Sequence, residues 1–292
     1  MSSYRELLTP ASMKGAAILN AEEKIALVYP ELPETSSFHT RIHELKENEM
    51  LQFLNEVVPK GVLLKFLMTR HKYDDAFYYT YECYNEETGT HLMTANKKSG
   101  NKTSNFEVAM AATNNVRIGK VRSNFTGSEY MVYDNGLNPE KLSAMRGGTA
   151  RKELAFIQFQ SNIFGNCPRQ FTVTLPRVTV DGTILWQPLT KTASMKEQIK
   201  RDSTNQDMMV LKSKVPIWSE KLHSFALDFK GRAKIASVKN FQIIEPNCPR
   251  DIVMQYGKMD KDLGTLDVQY PMSPLQAFSI ALAGLDGKWI CD

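Results

Sequence analysis

The stretch Ser273-Pro274-Leu275-Gln276-Ala277-Phe278-Ser279-Ile280-Ala281-Leu282-Ala283-Gly284-Leu285 decides the fold. Ser273 is a residue type that caps helices, and Pro274 suits a first helical turn, where a missing N–H costs nothing. From Leu275 to Leu285 the only polar side chains are Gln276 and Ser279, and there is no charge. A helix apolar on every side has no face to offer water, so it must be enclosed by its own domain or by lipid. Length separates the two. Thirteen residues at about 1.5 Å each span about 20 Å, short of the ~30 Å hydrocarbon core of a bilayer. Asp286, Lys288 and Asp292 follow almost at once and add no apolar length. The reading is a buried core helix, and the strand-like residues before it predict a sheet closed around that helix.

Composition agrees with a packed domain. Of 292 residues, 42% are hydrophobic and 10% aromatic, which suits one large all-β domain with an extension, or two ordinary domains. Cys83, Cys167, Cys248 and Cys291 lie far apart with no Cys-x-x-Cys spacing. That argues against a zinc site and against a disulfide framework, and predicts reduced thiols in a cytosolic protein. Met1 to Ala17 lacks the basic start and continuous apolar run of a secretory signal. A soluble, intracellular protein with no cofactor and no metal is the expectation.

Residues 1–48 show no sustained period and read as an N-terminal extension, partly disordered or helical, with a short helix around Ala21–Val28. The spacing of His39, His43 and Glu44 could place both imidazoles on one helix face, but no third metal ligand is evident, and a solvated charged helix is the simpler account. The domain proper is placed at 49–292. Short strands are predicted at Gly61–Arg70, Ala76–Tyr84, His91–Ala95, Asn105–Ala111, Arg117–Asn124, Glu129–Tyr133, Glu153–Gln160, Phe171–Leu175, Thr183–Gln187, Ser224–Phe229, Ile235–Ile243 and Ile252–Lys258. Asn85–Gly89, Asn135-Gly136, Gly147-Gly148, Asp181-Gly182 and Lys230-Gly231 punctuate them as turns. Thr190–Asp207 is polar and reads as an excursion carrying a short surface helix. Many short strands without helix alternation imply an antiparallel barrel or sandwich.

Charge is polarised. Between Lys97 and Lys152 stand ten basic residues against four acidic ones, a net +6 in a chain whose total is +4. Lys120 and Arg122 are two apart on a predicted strand, so both point to one side. Arginine offers a planar fork and lysine a point charge, a pair suited to adjacent phosphates. The same pattern also describes a basic strand face exposed to water. Catalytic signatures are missing: there is no GxGxxG after a strand, no P-loop, no HExxH and no GxSxG. His91 and His223 read as strand residues, and no enzyme is expected.

Several stretches resemble the tubby domain: Lys102-Thr103-Ser104-Asn105-Phe106, Ile118-Gly119-Lys120-Val121-Arg122-Ser123-Asn124-Phe125, Val132-Tyr133-Asp134-Asn135-Gly136, Ser237–Gln242, Val253–Gly257 and Pro274–Phe278. Their order and spacing agree from about Met50 to Asp292. The resemblance implies a mainly β fold, a closed twelve-stranded antiparallel β-barrel enclosing a C-terminal hydrophobic α-helix. It also implies binding of phosphatidylinositol 4,5-bisphosphate or a related phosphoinositide by Asn105, Lys120, Arg122 and Arg151. Reversible, peripheral recruitment to the cytoplasmic membrane surface would follow, with no apolar insertion needed. Family roles extend to trafficking of cargo and ciliary proteins, and to the cilium or nucleus as locations. The alternative is a DNA-binding transcription regulator, released from the membrane, that uses the same basic face on nucleic acid.

Overall fold

Strands adjacent in sequence become antiparallel neighbours in space. The computed structural model describes residues 17–18, 42, 45–73, 77–111, 116–142, 148–160, 170–179, 184, 186–202, 205–220 and 223–286. A two-residue strand, β1 (Ala17–Ile18), comes first, then α1 (Glu47–Asn55). The barrel begins with β2 (Leu64–His71), β3 (Thr80–Asn85), β4 (His91–Lys97), β5 (Asn105–Met110), β6 (Arg117–Ser123) and β7 (Glu129–Asp134). A single turn, α2 (Pro139–Leu142), leads to β8 (Glu153–Phe159) and β9 (Phe171–Pro176). After α3 (Met195–Arg201) come β10 (Met208–Ser213), β11 (Ile217–Ser219), β12 (Ser224–Leu227), β13 (Phe241–Glu245), β14 (Cys248–Lys258), β15 (Leu263–Val268) and α4 (Pro274–Leu285). Twelve of these strands close in the order β10-β13-β14-β15-β2-β3-β4-β5-β6-β7-β8-β9. Antiparallel pairs β15–β2 and β9–β10 complete the ring, so no barrel strand is left as an edge.

The helix α4 fills the barrel. Every residue from Pro274 to Gly284 is buried, which is how an all-apolar helix avoids water without lipid. Its start is capped reciprocally: Gln276 N donates to Ser273 Oγ at 3.2 Å, and Ser273 N donates to Gln276 Oε1 at 2.8 Å. Gln276 Nε2 also donates to the Leu154 carbonyl of β8 at 2.7 Å, tying helix to wall. Strand residues alternate toward this helix. Leu64, Phe66 and Met68 on β2 and Phe106, Val108 and Met110 on β5 are essentially unexposed, while their sequence neighbours face outward. Gly119 lets β6 approach closely: a Cβ there would stand 3.1 Å from Leu275 Cδ1 and 3.3 Å from the Tyr133 carbonyl. At the helix's starting end α1 packs on α4, burying Met50 and Leu54, and Val58 N donates to Met272 O at 2.9 Å.

The exit of α4 is held by charge. A helix C-terminus favours cations, yet the residue there is Asp286, its side chain 4% exposed. Lys97 Nζ reaches Asp286 Oδ1 at 2.7 Å, Tyr130 Oη donates to Oδ2 at 2.8 Å, and Lys239 Nζ donates to Leu285 O at 2.9 Å. Two ammonium groups thus answer both the buried carboxylate and the free helix carbonyl.

Several strand predictions are corrected. Ser224–Phe229 does not enter the barrel; β12 pairs with β11 and with β1 in a separate three-stranded sheet. The strand expected from Ile235 starts only at Phe241, because Asn240 turns the preceding segment, donating to Ile235 O and accepting from Lys258 N. Two barrel strands are ones that the pattern did not mark: β15 (Leu263–Val268), and β10, where Met208-Met209-Val210-Leu211-Lys212 lacks clear alternation and follows a polar stretch. Of Thr183–Gln187, Ile184 makes an isolated bridge to Val178, and 180–183 and 185 lie outside the described residues. The surface helix read within Thr190–Asp207 is α3. Packing reaches back past 49, since α1 begins at Glu47 and Ile42 is 1% exposed. The helix expected at Ala21–Val28, the residues His39, His43 and Glu44, and Cys167 and Cys291 lie outside the described residues. Cys83 is a buried free thiol and Cys248 an exposed one. Among the described residues no helix is long and apolar enough to cross a membrane.

Because α4 and the wall form one core, Phe278→Ala should lower the unfolding free energy by about 3–5 kcal/mol. The check is urea denaturation, with the midpoint falling and the slope unchanged.

Candidate functional site

Two parts of the barrel's outer wall are covered. Across β13, β14 and β15 the outward side chains Gln242, Gln255 and Asp267 form a hydrogen-bonded row. Arg232 is clamped over it, donating to both Asp267 oxygens and to Glu86 Oε1. Around β7, β8 and β10 the outer face carries α3, whose Met195 is buried with Met131, Phe156 and Met208. The outer face of β5 and β6 has no such cover, and there the basic residues stand.

Antiparallel register sets that face residue by residue. Asn105 on β5 lies opposite Arg122 on β6, and Glu107 lies opposite Lys120. Val121 and Ser123 turn inward, so Lys120 and Arg122 share the outer side as their spacing predicts. Next along, Lys120 lies opposite Tyr133 on β7. The guanidinium of Arg151, just before β8, stacks over the Tyr133 ring with Cζ 3.8 Å from its centroid. A tight turn puts Arg151 there. Asp134 Oδ1 accepts from Gly136 N and Lys152 N, and Arg151 N donates to Leu137 O. At Gly136 a Cβ would fall 2.5 Å from Arg151 Cα, so only glycine admits the crossing.

All four residues singled out in the sequence therefore lie on one wall. Lys97 does not belong with them; its ammonium is held inside the barrel end by Asp286. Two residues given no role by the sequence reading organise the face. Tyr133 stands between Lys120 and Arg151. Glu107 gathers Lys98 (2.9 Å), Lys120 (3.4 Å) and Arg117 (3.5 Å). Only pairing register could have identified them, since nothing in Glu107 or Tyr133 as residue types marks them out. His91 lies in β4 as read, stacked on Tyr84, whereas His223 is in a turn before β12 with φ 44° rather than in a strand.

Electrostatics at this face favour an anion. Partial burial and then the Arg122 charge push the Lys120 ammonium below the usual lysine value, and Glu107 only partly offsets them. Burial pushes the Glu107 carboxyl up, but the hydrogen bond and charge of Lys98, with the charge of Lys120, outweigh it and leave the group below the usual carboxylate value. Among the described residues neither Arg122 nor Arg151 has an ion-pair partner within 4 Å, so both guanidinium forks are open. Asn105 is 7% exposed, and its Oδ1 has no hydrogen-bond partner among the described residues.

A lysine whose pKa is lower folded than unfolded destabilises the fold while it is protonated, and that cost disappears as pH rises past the unfolded value. At neutral pH Lys120 is protonated, so Lys120→Met should leave the melting temperature unchanged or slightly raised. An added polyphosphate should move the Lys120 titration in the wild type back upward. Calorimetry and 13C NMR of the lysine Cε read these two effects.

The chain also has recognisable relatives. The Tub family model matches residues 54–287, most of the chain. Tubby protein homolog 1 of Caenorhabditis briggsae is 35% identical over 266 residues, covering 84% of this chain and 62% of that protein. Mouse Tubby-related protein 1 is 35% identical over 255 residues (84% of this chain, 47% of the relative). Mouse Tubby-related protein 3 is 35% identical over 263 residues (85% and 57%). This chain thus spans about half to three-fifths of the length of these relatives. With the closed twelve-stranded barrel, the enclosed C-terminal helix and a match over residues 54–287, the chain belongs to the Tub family.

Proposed function

We propose that the β5–β6 face binds the phosphorylated inositol headgroup of phosphatidylinositol 4,5-bisphosphate and so recruits the protein reversibly to cytoplasmic membrane surfaces. The observation that carries this reading is the outward pairing of Lys120 and Arg122, with Asn105 opposite one and Arg151 beside the other across Tyr133. Arg122 and Arg151 would each grip a phosphate through two parallel N–H bonds, the geometry that distinguishes a guanidinium from an ammonium. Lys120, held between Glu107 and Arg122, would supply the central point charge. A turn of the Asn105 carboxamide would offer an N–H to a phosphate or ring oxygen next to Arg122. A headgroup with two adjacent phosphates relieves the Lys120–Arg122 repulsion more than one phosphate can, which favours bisphosphorylated lipids. Removal of a phosphate would therefore release the protein.

Recruited in this way, the protein would serve as an adaptor that brings membrane or ciliary cargo to a phosphoinositide-marked surface. That role rests on the family and on the headgroup site together.

Co-sedimentation with vesicles tests the binding. Each basic residue near an anionic surface contributes about 1 kcal/mol, so Lys120→Ala with Arg122→Ala should weaken capture on phosphatidylinositol 4,5-bisphosphate vesicles by about thirtyfold or more. Soluble inositol 1,4,5-trisphosphate should compete, and rising salt should weaken binding. Undiminished capture by the double variant would overturn the proposal. Tight binding of a short DNA duplex that inositol trisphosphate fails to displace would assign the face to nucleic acid instead.

A further inference from the structure

Exposed aromatic residues gather at one end of the barrel, the end where α4 finishes and where Asn105 and Arg122 lie. The β2–β3 connection there carries Tyr73 (59% exposed) and Phe77 (86% exposed), and the β6–β7 turn carries Phe125 (72% exposed). Lys72, Lys98 and Lys102 stand exposed in the connections of the same end. Phe125 is only three residues beyond Arg122.

The β6–β7 turn holds Phe125 out rather than letting it fold back. Asn124 Oδ1 accepts from Ser128 N at 3.0 Å, Glu129 N at 3.2 Å and Thr126 Oγ1 at 3.1 Å. Gly127 takes the left-handed conformation, φ 75°, that closes the turn. Every polar side chain of the tip is engaged within the turn, and the one apolar ring is left in water.

We infer that this end of the barrel enters the membrane interface, with Phe125 and Phe77 inserting among the lipid headgroups while the β5–β6 face takes the bisphosphorylated headgroup. This inference rests on the headgroup reading above and adds an apolar component to attachment that the sequence reading treated as purely electrostatic. Two features select a bilayer over a protein partner. Protein interfaces want a contiguous apolar patch, whereas the two tips are four strands apart, about 19 Å along the wall at about 4.8 Å per strand. Basic residues lie between them, the arrangement that suits an anionic lipid surface needing no shape complementarity.

The experiment uses the full chain with Phe125→Ser, Phe77→Ser and the double variant, beside Phe125→Trp. Titration with soluble inositol 1,4,5-trisphosphate should give the wild-type affinity in all of them. Capture on phosphatidylinositol 4,5-bisphosphate vesicles should fall about tenfold for Phe125→Ser, a loss of about 1.4 kcal/mol, and further for the double variant. Phe125→Trp fluorescence should shift to the blue on vesicles and be quenched by lipids brominated on the upper acyl chain. Unchanged vesicle capture with no quenching overturns the inference and leaves the tips to a protein partner. An equal loss toward soluble trisphosphate overturns it too, by placing Phe125 in the headgroup site. Failure of the wild type to bind soluble trisphosphate, with insertion intact, would instead count against the headgroup reading alone.

Discussion

Enclosure of α4 is the constraint on which the rest of the structure depends. Eleven consecutive buried residues with no polar face cannot rest on a sheet; they need a wall on every side. Twelve strands provide it and, by closing, leave no ladder edge for another chain to extend. Closure also joins the ends of the domain, because β15, just before the helix, pairs with β2, the first barrel strand. The core is therefore not complete until nearly the whole chain has been made.

A filled barrel dictates where binding can occur. Its interior is occupied by the helix, buried from Pro274 to Gly284, while the charged side chains of β5 and β6 stand on the outer wall. The clamp of Arg232 on Asp267 and Glu86 covers one part of that wall, and α3 covers another. The β5–β6 face carries neither cover, and there strand alternation sends Lys120 and Arg122 outward. Partial burial first, and then the neighbouring Arg122 charge, hold the Lys120 ammonium below the usual lysine value.

Much of this was legible in the residues. The length and apolarity of Ser273–Leu285 predicted a buried helix, and period-two spacing predicted that Lys120 and Arg122 share a side. The turn at Asn135-Gly136 was also visible, though not its purpose, the backbone crossing that seats Arg151. Where reading failed, the local signal was weak or ambiguous. β10 shows no clear alternation because its neighbours and α3 cover parts of both faces. Ser224–Leu227 reads as a strand and is one, but only pairing distinguishes a barrel strand from one in a side sheet.

The sequence by itself determined the elements whose physics is local: a helix too apolar for water and too short for a bilayer, a strand that presents two cations to one side, and the turns that glycine makes possible. Tertiary structure alone decided which distant residues meet. It took Lys97 out of the basic face and set it on Asp286, brought Arg151 over Tyr133, and made Glu107 the shared partner of three cations. The reason is that register between strands, unlike periodicity within one, is fixed by closure of the whole ring around its helix.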